Sequence, residues 1–137
     1  MIYDLDHFKA VNDTYGHLAG DRVLKETAQR VKKAIRPYDL LGRYGGEEFV
    51  ILMTEIDKAN VAAATERIRL DVCKAPVVFE GKEIPITASF GIAYAAPVND
   101  MTTAIKCADE ALYQAKDGGR NRVVFHEDGA SAADKVS

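Results

Sequence analysis

Residues 40–53, LLGRYGGEEFVILM, are two short apolar runs pinched around Gly45-Gly46. A glycine pair between such runs reads as a β-hairpin, because glycine reaches the backbone angles that tight turns need. A hairpin commits the chain to a sheet, and the remaining segments must supply the layers that cover it. Two acids, Glu47 and Glu48, follow the pinch directly. Adjacent carboxylates there fit a solvated turn, and they equally fit the rim of a site.

The other segments alternate between strand and helix patterns. MIYDL is a short apolar start, and DHFKAVNDTYG is a short helix stopped by Gly16. In the next stretch Leu24, Ala28, Val31 and Ile35 recur at helical spacing until Pro37. A third helix opens at a cap, Asp57, and aligns Val61, Ala64, Ile68 and Val72. VVFEGKEIPITASFGIAYA reads as a hairpin turned near Gly81 that leads into a longer strand. A last helix places Ile105, Ala108, Leu112 and Ala115 inward, closes at Gly118-Gly119, and is followed by a strand in NRVVF. The order is β-α-α-β-β-α-β-β-α-β, which predicts one sheet with helices packed on it. At 137 residues the chain suits one domain, placed at 1–126, with a small, polar, frayed tail at 127–137. The first strand has almost no run-up, so the chain reads as shortened at its front.

Bulk composition narrows the function classes. A formal net charge of -3 speaks against a nucleic-acid binder, which usually shows a basic face. No apolar run reaches the ~20 residues of a membrane span, and no signal peptide is visible. Cys73 and Cys107 are isolated in helical patterns and fit reduced, buried thiols better than a disulfide or a zinc site. A cytoplasmic domain is the expectation.

Three features carry chemistry. Asp4 and Asp6 flank Leu5 where a strand gives way to a helix, and residues two apart in an extended stretch share a side. Carboxylates at a strand end suit Mg²⁺, a hard cation that binds through one or two carboxylates plus substrate phosphates. Asp6 also fits a plain helix cap. If the second hairpin strand pairs antiparallel with the first strand, Glu47 lies beside Asp4, and the repulsion between carboxylates favours a cation. Finally, Lys116 and Arg120 flank two glycines in KDGGRNRV. That stretch fits an anion site, with backbone amides and cations facing phosphate, or an ordinary basic helix C-cap.

Taken together, DLDHFKAVNDTYGHLAGDRVL, RYGGEEF, ITASFGIA and ADEALYQAKDGGRNRV resemble the GGDEF domain, the diguanylate cyclase family, from residue 2 to about residue 125. The resemblance implies an α/β (α+β) fold, a polymerase-palm or nucleotide-cyclase-like sandwich with a central, mostly antiparallel sheet. It implies condensation of two GTP into cyclic di-GMP with release of two pyrophosphates. Mg²⁺ (or Mn²⁺) would be held by Asp4, the Leu5 carbonyl and Glu47, with Glu48 in support. Glu47 would also serve as base for the 3′-hydroxyl. Gly45 and Gly46 would let the backbone lie close to the nucleotide. Asn12 and Asp21, with His17 nearby, match guanine-reading positions, and Phe8 and Leu18 line or underlie the base pocket. Lys9, Lys116 and Arg120 match phosphate contacts, with Lys9 counted in the catalytic set. Arg36 and Asp39, in RPYD, resemble the inhibitory site for the product, and Arg67 its additional arginine.

One chain supplies one set of these residues, and a product with two-fold symmetry then implies a catalytic homodimer. The family's preceding helix and the usual sensory or receiver domain are missing from the sequence, which predicts an exposed apolar patch. A second reading is a non-catalytic receptor that binds cyclic di-GMP at Arg36 and Asp39. A third, weaker one is another nucleotide cyclase or polymerase of the palm group.

Overall fold

Strand β1 (Ile2–Leu5) runs through the middle of the sheet and is buried along its whole length. The computed structural model describes residues 1–94 and 100–126, so the tail expected at 127–137 lies outside the described residues. After β1 come α1 (Phe8–Tyr15), α2 (His17–Ala34), β2 (Leu40–Gly45), β3 (Glu48–Leu52) and α3 (Lys58–Cys73). Then follow β4 (Val77–Phe79), β5 (Lys82–Ile84), β6 (Ala88–Ile92), α4 (Met101–Asp117) and β7 (Val123–Phe125). Five strands form the main sheet in the order β2-β3-β1-β6-β7, and β4-β5 stand apart as a hairpin. Every neighbouring pair in the main sheet is antiparallel except β6-β7, which is parallel.

The alternation of β1 sorts the sheet into two faces. Tyr3 and Leu5 enter a large core with Val23, Val31, Phe49, Ile51, Ile68 and Phe90, beneath α2 and α3. Ile2 points the other way, against Ala108 and Leu112 of α4. Tyr3 lies opposite both Phe49 and Phe90 in the strand register, and its ring stacks on each at 5.1 and 5.0 Å. This three-ring ladder fixes the register, since a one-residue slip would turn every ring to the wrong face.

The α3 stripe of Val61, Ala64, Ile68 and Val72 is buried as expected, and the Asp57 carboxylate caps the helix by accepting from the Asn60 N–H at 2.8 Å. Two expectations need correction. The strand after the Gly81 hairpin does not continue from it: β5 stops at Ile84 and β6 begins at Ala88 in the other sheet. Pro85 sits at the break and cannot donate to a ladder. Cys73 and Cys107 form no disulfide among the described residues, and both are half-buried rather than buried. No helix among the described residues is long and apolar enough to cross a membrane.

Candidate active site

The end of β1 makes the floor of the site. Because Tyr3 and Leu5 face the core, Asp4 must face the α4 side, where it is only 4% exposed. Its Oδ2 accepts a hydrogen bond from the Lys116 ammonium, carried in the last turn of α4. Its Oδ1 is buried and has no hydrogen-bond partner among the described residues. Burial pushes the Asp4 carboxyl up; Lys116 pulls it back, and the charges of Glu47 and Asp6 push it further up. Glu48 shows the same conflict: burial raises its carboxyl, with Asp109, Asp4 and Glu47 adding and Lys116 opposing.

The register corrects one expectation. The residue opposite Asp4 is Glu48, whereas Glu47 stands one place further, in the turn between β2 and β3. The turn needs glycine at Gly46, whose φ is +53°, and an added side-chain carbon at Gly45 or Gly46 would meet only open space. Glu47 still reaches the site. Together with Asp4, Leu5, Phe8, Lys9, Lys116 and Arg120 it lines a cavity of about 470 Å³.

The KDGGRNRV stretch divides the two readings between backbone and side chains. Its amides are already used. Those of Gly118, Gly119 and Arg120 donate to carbonyls in the last turns of α4, and that of Asn121 donates to Asp6 and Ser89. The backbone is therefore a helix cap and not an anion nest. The side chains of Lys116 and Arg120 face the cavity, as expected for phosphate contacts.

The guanine-reading positions are not gathered at this cavity. Asn12, His17 and Asp21 sit at the corner between α1 and α2, outside its lining. Asn12 packs its carboxamide over Gly20, where an added side-chain carbon would fall 1.8 Å from Oδ1. Leu18, in the first turn of α2, is 73% exposed. Phe8, expected at the base pocket, lines this cavity and packs on the core.

Arg36, Asp39 and Arg67 do come together, around a second cavity of about 220 Å³ between the α2–β2 connection and α3. The Asp39 carboxylate accepts from the Arg36 backbone N–H at 2.8 Å and from its guanidinium at 2.7 Å. Burial works to raise the Asp39 carboxyl, but these bonds and the Arg36 charge outweigh it and hold it below the usual range. Arg36 also donates to the Thr54 carbonyl at 2.8 Å and lies over the Tyr38 ring.

Sequence reasoning missed His7, Ala10 and Asp13 as cavity residues, and it read Asp6, which also lines the cavity, as a carboxylate for Mg²⁺ or a helix cap. Asp6 does not cap α1, whose N-cap is His7 with no side-chain bond. It is buried, and it accepts from Thr87 and Ser89, the two hydroxyls of ITASF. Their spacing of two, which puts both on one side of an extended segment, was the available signal.

A mostly antiparallel sheet, helices on both faces and an acid-lined cavity at the ends of β1 and β3 define a nucleotide-cyclase-like α+β domain. The family model for the diguanylate cyclase GGDEF domain matches residues 1–122. The chain belongs to this family. It is 40% identical over 126 residues to diguanylate cyclase A of Treponema denticola, covering 91% of this chain and 34% of that protein. The GGDEF domain of DgcB from Caulobacter crescentus, solved in complex with c-di-GMP, superposes with a TM-score of 0.86 at 36% identity, over 92% of this chain and 75% of that one. The active GGEEF domain of a Vibrio cholerae diguanylate cyclase superposes with a TM-score of 0.82 at 31% identity, over 92% and 80%. The chain spans about a third of the length of the curated relatives it matches.

Proposed function

We propose that this chain is the catalytic domain of a diguanylate cyclase, joining two GTP into cyclic di-GMP. The observation that carries this reading is Asp4: a buried carboxylate with one oxygen on Lys116 and the other without a partner, at the floor of a cavity rimmed by Glu47. A buried, unpaired carboxylate oxygen is costly, and a hard cation is the natural partner for it. Among the described residues no three Asp, Glu, His or Cys side chains converge closely enough to enclose an ion. That fits Mg²⁺, which keeps several waters and shares its shell with substrate phosphates. Asp4, Glu47 and the Leu5 carbonyl would hold it, with Glu48 in support. When bound, the ion supplies charge to the phosphates and lowers the cost of ionising the attacking hydroxyl.

The chain's own groups do the rest. Glu47 is the candidate base, within reach of solvent and of the cavity. Lys116, Arg120 and Lys9 take up triphosphate charge. Asn12 and Asp21 supply a carboxamide and a carboxylate for guanine at the α1–α2 corner, so the nucleotide would stretch from that corner to Arg120. The V. cholerae relative is described as active with a GGEEF signature, which this chain shares at residues 45–49.

Arg36, Asp39 and Arg67 would bind the product and restrain the reaction, as a second and separate site. The c-di-GMP complex of DgcB supports product binding in this family. A receptor that binds cyclic di-GMP without making it remains the rival, and the intact set of Asp4, Glu47 and Lys116 favours the enzyme.

Incubation with GTP and Mg²⁺ should yield cyclic di-GMP, and Glu47→Gln should lower the rate by about 10²-fold or more. Tight binding of cyclic di-GMP with no synthesis at any protein concentration would establish the receptor instead.

A further inference from the structure

We infer that Asp6 is a positioning residue which holds the turn after α4, and so aims Arg120 at the triphosphate, rather than a second metal ligand of the DLD motif. The inference rests on the cyclase reading for its functional consequence, but its structural basis is independent. The Asp6 carboxylate is buried and fully engaged: Thr87 Oγ1 donates at 2.6 Å, Ser89 Oγ at 2.7 Å and the Asn121 N–H at 3.0 Å. Its own N–H donates to the Thr87 carbonyl at 2.9 Å. These bonds join the end of β1, the start of β6 and the turn leading to β7. Both oxygens of Asp6 already accept from neutral donors, whereas Asp4, two residues earlier, keeps one oxygen without a partner among the described residues. A metal ligand needs the open oxygen and a structural clamp does not.

The turn has a reason to need a clamp. Gly119, Arg120 and Asn121 all have positive φ, at +118°, +64° and +48°. The left-handed region is costly for Arg, so the conformation persists only where surrounding bonds over-determine it. Asp6 and Ser89 hold Asn121 from inside, and Arg69 Nη1 of α3 holds its Oδ1 from outside at 2.6 Å. Arg69 is itself fixed by Glu66 one helical turn away. Between these anchors the Arg120 carbonyl accepts from Arg122 Nε at 3.1 Å, while the Arg120 guanidinium has no hydrogen bond among the described residues and Arg120 lines the cavity. Its reach is set by the turn, and the turn is set by Asp6 and Arg69.

The test is a double-mutant cycle. Asp6→Asn should weaken GTP binding and raise KM for GTP about tenfold, because a neutral carboxamide accepts less strongly and cannot serve all three donors. The Mg²⁺ concentration needed at saturating GTP should stay unchanged. In an Arg120→Ala background Asp6→Asn should change GTP binding less than about twofold, since it acts through the missing guanidinium. Full additivity, or a shift in Mg²⁺ requirement, would overturn the inference. Asn121→Gly keeps the left-handed backbone and removes the Arg69 anchor, so it serves if Asp6→Asn fails to fold; it should raise KM for GTP and spare the Mg²⁺ dependence, and an unchanged KM would count against the clamp. Hydrogen exchange gives a readout without nucleotide: either variant should speed exchange at Arg120 and Asn121 relative to the wild type. If the wild type binds no GTP, the cyclase reading fails, while unchanged exchange in both variants would refute the clamp by itself.

Discussion

Asp4 and Glu48 show how a single side chain can lower stability in the absence of ligand. Both carboxyls are held above their ordinary range, chiefly by burial. A group whose folded-state value is raised gives stability that is complete below its unfolded value and is lost as pH climbs through the folded one. Their contribution therefore falls from the ordinary carboxylate range upward. Metal-free protein should lose melting temperature relative to Asp4→Asn as pH rises from the ordinary carboxylate range of about 4 upward. Millimolar Mg²⁺ should restore several degrees to the wild type and little to the variant. Melting curves on both proteins with and without Mg²⁺ check this, and equal responses would remove Asp4 from the ion. Asp39, Glu66 and Asp100 are shifted the opposite way, so the comparison with Asp4→Asn is what isolates the effect. At this scale Asp4, Glu47, Lys116 and Arg120 were legible, because each sits in a short motif whose neighbours state its chemistry. Asp6 was not, because its partners lie 81 to 115 residues away in sequence.

At the scale of elements, α4 is the carrier of Lys116, and Gly91 of β6 decides how closely it can approach. A methyl group on Gly91 would fall 2.2 Å from the Ala108 carbonyl oxygen and 2.3 Å from the Leu112 nitrogen, both rigid backbone. Gly91→Ala should therefore push α4 off the sheet, cost about 1–3 kcal/mol or more in denaturant unfolding, and weaken GTP binding by moving Lys116. Native stability in that variant would show that the helix can shift without penalty. The cavity proposed for the product is likewise a property of elements, since α3 brings Arg67 to the α2–β2 connection. Because the Arg36 fork is already engaged by Asp39, Arg67 becomes the arginine without a carboxylate partner in that cavity. Arg67→Ala should lower affinity for added cyclic di-GMP about tenfold by calorimetric titration, the loss typical of a charged hydrogen bond. The helical stripes and the Gly45-Gly46 turn were readable because they depend on nearest neighbours and period. The break at Pro85 and the register of Glu48 were not, because pairing partners decide them.

For the whole molecule, one cavity carries one set of cyclase residues, and the proposed product contains two equivalent halves. On that proposal two domains would face each other, and specific activity should rise with protein concentration until the dimer saturates, read by cyclic di-GMP formed per chain across a dilution series. A concentration-independent value would mean that a single chain completes the reaction. The five-stranded sheet explains why the site assembles at all. Residues 4, 47, 116 and 120 are far apart along the chain and meet only because β1 lies centrally, with β3 on one side and the α4–β7 turn reaching across β6. Local pattern was enough to read the helices, the Gly45-Gly46 turn and the acidic rim, since turns, caps and periodicity are short-range physics, while the family came from the resemblance of four motifs. Folding had to decide which oxygen of which acid remained open. Burial took the solvent from Asp4, Lys116 took one of its oxygens, and three donors distant in sequence engaged both oxygens of Asp6, so two aspartates two residues apart ended with different chemistry.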